Sequence, residues 1–177
     1  MTNRQFLTIG FALAALILGA CATRPSDGVT TEHEDRIMTP GTTYLYLLKN
    51  TPFFTALSKP QLRWVIEHSR EWGAESGTVV ASYSDAIPAS DDLWILLDGA
   101  WEVEVGGQLY PAKNNDPGKW FSAAQATSPS KLIVTEHSYV MRIKRADMEA
   151  MRLQGFAFDQ HLDAGKAYYK RLFQSAR

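Results

Sequence analysis

Few side chains in this chain are spaced for chemistry. The four histidines, His33, His68, His137 and His161, are far apart, and no HxH or HxxxH pair occurs. A metal site held by side chains needs such clustering, so no metal is expected. His33 lies in "TEHED" with Glu32, Glu34 and Asp35, which reads as a solvated linker. Glu136-His137 is the best local pair and reads as a turn with a solvated carboxylate. Ser82, Ser84 and Asp85 could be joined with a distant histidine into a triad, but no strained nucleophile turn accompanies them. Neither a P-loop nor a dinucleotide fingerprint is present. The chain is therefore expected to be non-catalytic and to carry no cofactor. Two features remain: the lone cysteine, Cys21, and the loop "GKWFSAAQATSPSKLIV", Gly118 to Val134. That loop sets a run of small residues between Trp120-Phe121 and an apolar strand, as a ligand loop or a plain connection would. Among the five tryptophans, Trp94, Trp101 and Trp120 fall on the predicted roll and are the best placed to line a pocket for a hydrophobic ligand, with Trp101 and Trp120 nearest the loop, although tryptophans of a small domain also serve as core.

Cys21 closes a distinctive leader. "MTNRQFLTIGFALAALILGAC" carries one basic residue, Arg4, no acid, and an apolar run from Phe6 to Ala20. The run is short for a membrane span and sits where a secretory signal sits. Leu18-Gly19-Ala20-Cys21 resembles a bacterial lipobox, in which the cysteine is lipidated and the signal is removed just before it. The other reading is an ordinary signal or anchor helix with a chance cysteine. Under the lipobox reading, residues 1–20 are a signal peptide. Several acyl chains such as palmitate at Cys21 then hold the protein stably at a membrane without spanning it. Ala22 rather than Asp follows the cysteine, which by analogy with enterobacterial sorting favours the outer membrane, on its periplasmic side. Residues 21–43 would be the lipidated cysteine and a polar tether with Pro25, Gly28, Pro40 and Gly41.

The elements that position the rest lie in residues 44–177. Apolar content of 45% suits a globular domain, and a formal charge of −1 gives no bulk attraction to nucleic acid. "YLYLLK" reads as one or two helical turns, stopped at Pro52, with Phe53-Phe54 inserted into a core. "LSKPQL" starts a helix: Ser58 is the N-cap, Gln61 completes a capping box, Leu57 and Leu62 form a staple, and Pro60 falls in the first turn. This helix is expected to reach about Arg70, with strands beginning after Gly73 and Gly77. "TVVASY" is β-rich. "LWILLDGAWEVEVGGQLYPA" reads as two strands broken at Gly99 and a hairpin at Gly106-Gly107. Trp101, Val103 and Val105 alternate with Glu102 and Glu104, giving one buried and one wet face. "KLIVTEHSYVMRIK" gives two more strands, and "RADMEAMRL" and "AFDQHLDAGKAYYKRLFQSA" are helices. On the last, Phe158, Leu162, Gly165, Tyr169 and Leu172 form a heptad-like seam, used either against the chain's own β-domain or as a homodimer contact.

This order of elements resembles the cyclic nucleotide-binding domain superfamily. "TPFFTALSKPQLRWVIEHSREW" is similar to its entry, "LWILLDGAWEVEV" to its central strand pair, and "VMRIKRADMEAM" to its last strand and following helix. The resemblance covers about Tyr44 to Phe173. It implies a mainly β fold, a jelly-roll type β-roll with helices at both ends. It also implies where a ligand would sit. The family's short helix opens with Phe-Gly-Glu, whose Glu holds a ribose hydroxyl, and an Arg follows that faces the cyclic phosphate. Here Phe121 matches the Phe, Ser122 stands for the Gly and Ala123 for the Glu. Ser130 falls at the Arg position, with Lys131 one place along. A buried phosphate wants a cation and N–H donors. A lysine is a point charge without the fork of Arg. Losing two such contacts takes at least about a hundredfold off affinity. The candidate ligand-binding residues are thus Phe121, Ser122, Ala123, Ser130, Lys131, Trp101 and Trp120, in a site that has lost its polar groups. The chain ends after the long helix, where transcription-factor relatives continue into a helix-turn-helix, so no nucleic-acid partner is expected. The expected role is a degenerate, membrane-anchored sensory or interaction module with an envelope protein partner. The alternative is a binder of a different small ligand, or of a cyclic nucleotide, in the roll.

Overall fold

The computed structural model describes residues 42–84 and 90–176. The leader, Cys21, the tether with His33, and Asp85 lie outside them. Helix α1 spans Thr42–Asn50 and α2 spans Lys59–Glu67. Ser58 caps α2 as the sequence predicts, with the Gln61 carbonyl 2.9 Å from the Ser58 N–H and a full capping box. Phe53 and Phe54 lie between the two helices, both buried.

The predicted helix end is wrong by about three residues. α2 stops at Glu67, His68 is its C-cap, and Ser69–Ala74 is a strand, β1. All six residues of β1 pair antiparallel with Ser138–Ile143, the eighth strand. Arg70 and Glu71 read locally as helix, but pairing and burial of Trp72 and Ala74 against the roll override that propensity.

Seven further strands follow: β2 Val79–Tyr83, β3 Leu93–Asp98, β4 Ala100–Val105, β5 Gln108–Lys113, β6 Trp120–Phe121, β7 Ser130–Val134 and β8 Ser138–Ile143. They form two four-stranded sheets, ordered β1-β8-β3-β6 and β2-β7-β4-β5, with antiparallel pairing throughout. Gly99, at φ 91°, carries the chain from one sheet to the other; a Cβ there would collide with Ser138. α3 (Arg145–Leu153) and α4 (Asp159–Ser175) complete the domain. The architecture is a mainly β jelly roll with flanking helices.

Two cores result. β3 is buried on both faces, which explains its unbroken apolar run. Leu93, Ile95 and Leu97 face the helices with Phe53, Phe54 and Met151, while Trp94 and Leu96 face the interior of the roll. The heptad-like stripe on α4 is spent inside the chain: Phe158, Leu162, Gly165, Tyr169 and Leu172 are all buried. Gly165 sits against the Trp120 indole, where a Cβ would collide.

Candidate functional site

The loop between β6 and β7 is built tightly. Trp120 and Phe121 pair with Ile95 and Trp94 of β3. Ser122 then caps a single 3-10 turn, Ala123–Gln125, its Oγ accepting from the Ala124 N–H at 3.4 Å. The turn closes with Gln125 N–H to Ser122 O at 2.9 Å and Ala126 N–H to Ala123 O at 3.0 Å. A single turn of this kind contributes little aligned helix dipole. Ala123 is buried, so the position matching the family's Glu points into packed side chains.

The interior of the roll beneath this loop is filled. Trp101 and Phe121 are 0% exposed, and Tyr169 of α4 is 1% exposed. The Tyr169 ring stands edge-on to Phe121 at 5.5 Å and to Trp120 at 5.9 Å. One carbonyl organises the centre: Gly118 O accepts the Trp101 Nε1–H at 2.8 Å and the Tyr169 hydroxyl at 3.2 Å. Burial holds the Tyr169 phenol well above its usual range. Trp120 belongs to the other core and donates its Nε1–H to His161 O at 2.9 Å. Trp101 and Trp120 therefore belong to different cores, each with its polar atom occupied.

Ser130 and Lys131 part company at the start of β7. Lys131 points out of the roll and pairs with Glu104, directly opposite on β4, at 3.7 Å. Ser130 points in, is 4% exposed, and its Oγ has no partner among the described residues. A buried hydroxyl left so costs about 1–3 kcal/mol. It lines a cleft of about 430 Å³ at the ends of β2, β4 and β7, with Ser82, Tyr83, Ser84, Glu104 and Lys131. Trp120 and Ser122 line a second groove of about 200 Å³ beside α3 and α4, with Arg145, Glu149 and Lys166. The predicted ligand residues are thus divided between a packed interior, a groove and a strand-end cleft.

Other groups are placed as follows. His137 bonds through Nδ1 to Glu75 Oε1 at 3.0 Å, both exposed. No group of three or more His, Cys, Asp or Glu side chains stands close enough to hold a metal among the described residues. Lys119 is buried, which lowers its pKa against the opposing pull of Asp116. His161 is lowered by burial and then by the Lys119 charge. Sequence reading missed Glu71. This carboxyl is 6% exposed, neither oxygen has a partner among the described residues, and burial pushes it up to about 7. Reading "REWGA" as a strand would have flagged a carboxylate on an inward face.

No protein-family model matches the sequence, and no curated protein matches it. Solved structures do share the fold. The CBD2 domain of PKAR bound to Sp-2Cl-cAMPS matches with a TM-score of 0.55 at 13% identity, over 77% of this chain and 94% of that one. The regulatory subunit of a cAMP-independent protein kinase A from Trypanosoma cruzi, bound to guanosine, matches with a TM-score of 0.52 at 16% identity. That match covers 75% of this chain and 49% of the other, so the chain spans about half of that structure. The sensor domain of the transcriptional regulator DNR from Pseudomonas aeruginosa matches with a TM-score of 0.50 at 18% identity, over 73% and 94%. At these identities the likeness is one of fold: the chain has the fold of cyclic nucleotide-binding domains.

Proposed function

We propose that this chain is a non-catalytic sensory or protein-interaction module on a cyclic-nucleotide-binding-like fold, held at a cell-envelope membrane by lipid on Cys21. The observation that carries the non-binding part is the filled roll. Trp101, Phe121 and Tyr169 pack the interior beneath the loop, and Ala123 and Ser130 offer neither acid nor cation to a nucleotide. Calorimetry of the purified chain with cyclic AMP and cyclic GMP tests it; micromolar binding would contradict it. The anchor rests on the leader sequence. Labelled fatty acid should enter the wild-type chain and not Cys21→Ser, and retention of residues 1–20 in the mature protein would overturn it.

A second reading is favoured by the orphan hydroxyl of Ser130. The strand-end cleft gathers four hydroxyls with a neutralised Lys131–Glu104 pair, which suits a small uncharged polyhydroxy compound better than a phosphate. Native mass spectrometry of protein purified under mild conditions should then show a bound neutral adduct that Ser130→Ala loses.

A further inference from the structure

We propose that the docking of α1 on the roll is proton-gated: protonated Glu71 lets α1 close over β1, and its ionisation releases α1.

The geometry is that of a carboxyl with nowhere to put a charge. Glu71 lies in the middle of β1, whose six residues are all paired with β8, so the strand cannot turn it outward. It is 6% exposed and both its oxygens lack a partner among the described residues. Three sets of groups could act on its charge. From α1 comes Tyr44, 4% exposed, whose phenol is raised by burial and then by the Glu71 charge, against the lowering effect of the Ser69 hydroxyl on the same face of β1. β8 sets Tyr139, Met141 and Ile143 opposite Gly73, Glu71 and Ser69 on the same face, with Tyr139 the one titratable group. α2 runs into β1 through His68, whose ring stacks on Trp64 at 3.5 Å and bonds to the Trp64 carbonyl. The arginines nearest in register, Arg70 and Arg142, alternate to the other face, where Arg142 lies over Trp94 and near Asp92. No described cation compensates the carboxylate, and burial alone pushes its pKa up to about 7.

A buried carboxylate without a partner must stay protonated or regain water. β1 is fixed by its ladder, and α1 sets Tyr44 beside Glu71 and Ser69, so the opening that admits water is assigned to α1. That helix is nine residues long, and a helix so short is held by packing rather than by its own propensity. Its packing is Tyr44 and Leu48, both buried, while Tyr46 on its outer side is exposed. α1 also follows directly on the segment read as the tether. The state of Glu71 would thereby decide whether the first helix after the anchor is fixed to the domain or free.

Amide hydrogen exchange of residues 42–50 in the full chain, corrected for intrinsic rate, tests this between pH 5.5 and 8.5. Wild-type protection should fall at least about tenfold across the range, the effect of one unit of proton linkage. In Glu71→Gln, a neutral isostere, protection should stay high throughout. A wild-type protection independent of pH, or the same fall in the Gln variant, overturns the proposal. If the Gln variant fails to fold, a carbon-13 carboxyl titration of wild-type Glu71 decides. A midpoint near 7 that coincides with the change in α1 exchange supports gating, and one near the ordinary 4.5 overturns it.

Discussion

By the resemblance read from the sequence, Ala123 and Ser130 match the acid and the arginine of a cyclic-nucleotide cassette, and under the proposed function those two groups alone would not confer binding. The interior beside them is packed: Phe121, Trp101 and Tyr169 are all buried in one core. The double variant Ala123→Glu, Ser130→Arg is accordingly expected to bind cyclic AMP no better than wild type by calorimetry. It should also be less stable, since the new carboxylate enters the packed core at Ala123. Lys131, the cation left near the cassette, faces solvent and Glu104. Lys131→Ala should shift a urea midpoint by no more than the ~1 kcal/mol of an exposed ion pair. The residue types at positions 123 and 130 were legible in the sequence, because identity is all they require. The fate of Trp101 and Trp120 was not. Which way an indole points depends on a carbonyl supplied from elsewhere in the chain, Gly118 O in one case and His161 O in the other.

At the scale of elements, local signals served where the cause is local. The Ser58–Gln61 box, the alternation along β4 and the Gly106-Gly107 turn, with φ of 58° and 80°, all follow from neighbouring residues. Ser58→Ala should cost about 0.5–2 kcal/mol by denaturant unfolding, the usual value of an N-cap. The boundary between α2 and β1 failed because its cause is non-local: β8 claims Ser69–Ala74 as a partner. The stripe on α4 was read correctly as apolar, and the structure spends it on the chain's own roll. Gly165 makes that approach possible, so Gly165→Ala should displace α4 from Trp120 and cost about 1–3 kcal/mol, the range for overfilling a packed contact. A fall in Trp120 burial, seen as a red shift in tryptophan emission, would accompany it.

For the whole molecule, Glu71 ties stability to pH. Its folded pKa of about 7 lies above the ordinary 4.5. Below 4.5 both folded and unfolded states hold the proton and there is no penalty. Between 4.5 and 7 the unfolded chain ionises first, so stability falls as pH rises, by about 3 kcal/mol at most. The difference in urea stability between wild type and Glu71→Gln should therefore change in that window and level off above it. The wider account, which rests on the proposed function, is of a roll whose interior is filled by its own side chains. Titration calorimetry of the purified chain with cyclic AMP and cyclic GMP tests that claim most directly. The account predicts no binding heat at ligand concentrations approaching about a millimolar, a range in which even a weak contact of about 4 kcal/mol would register. Saturable binding in the micromolar range would contradict it and require the roll to open.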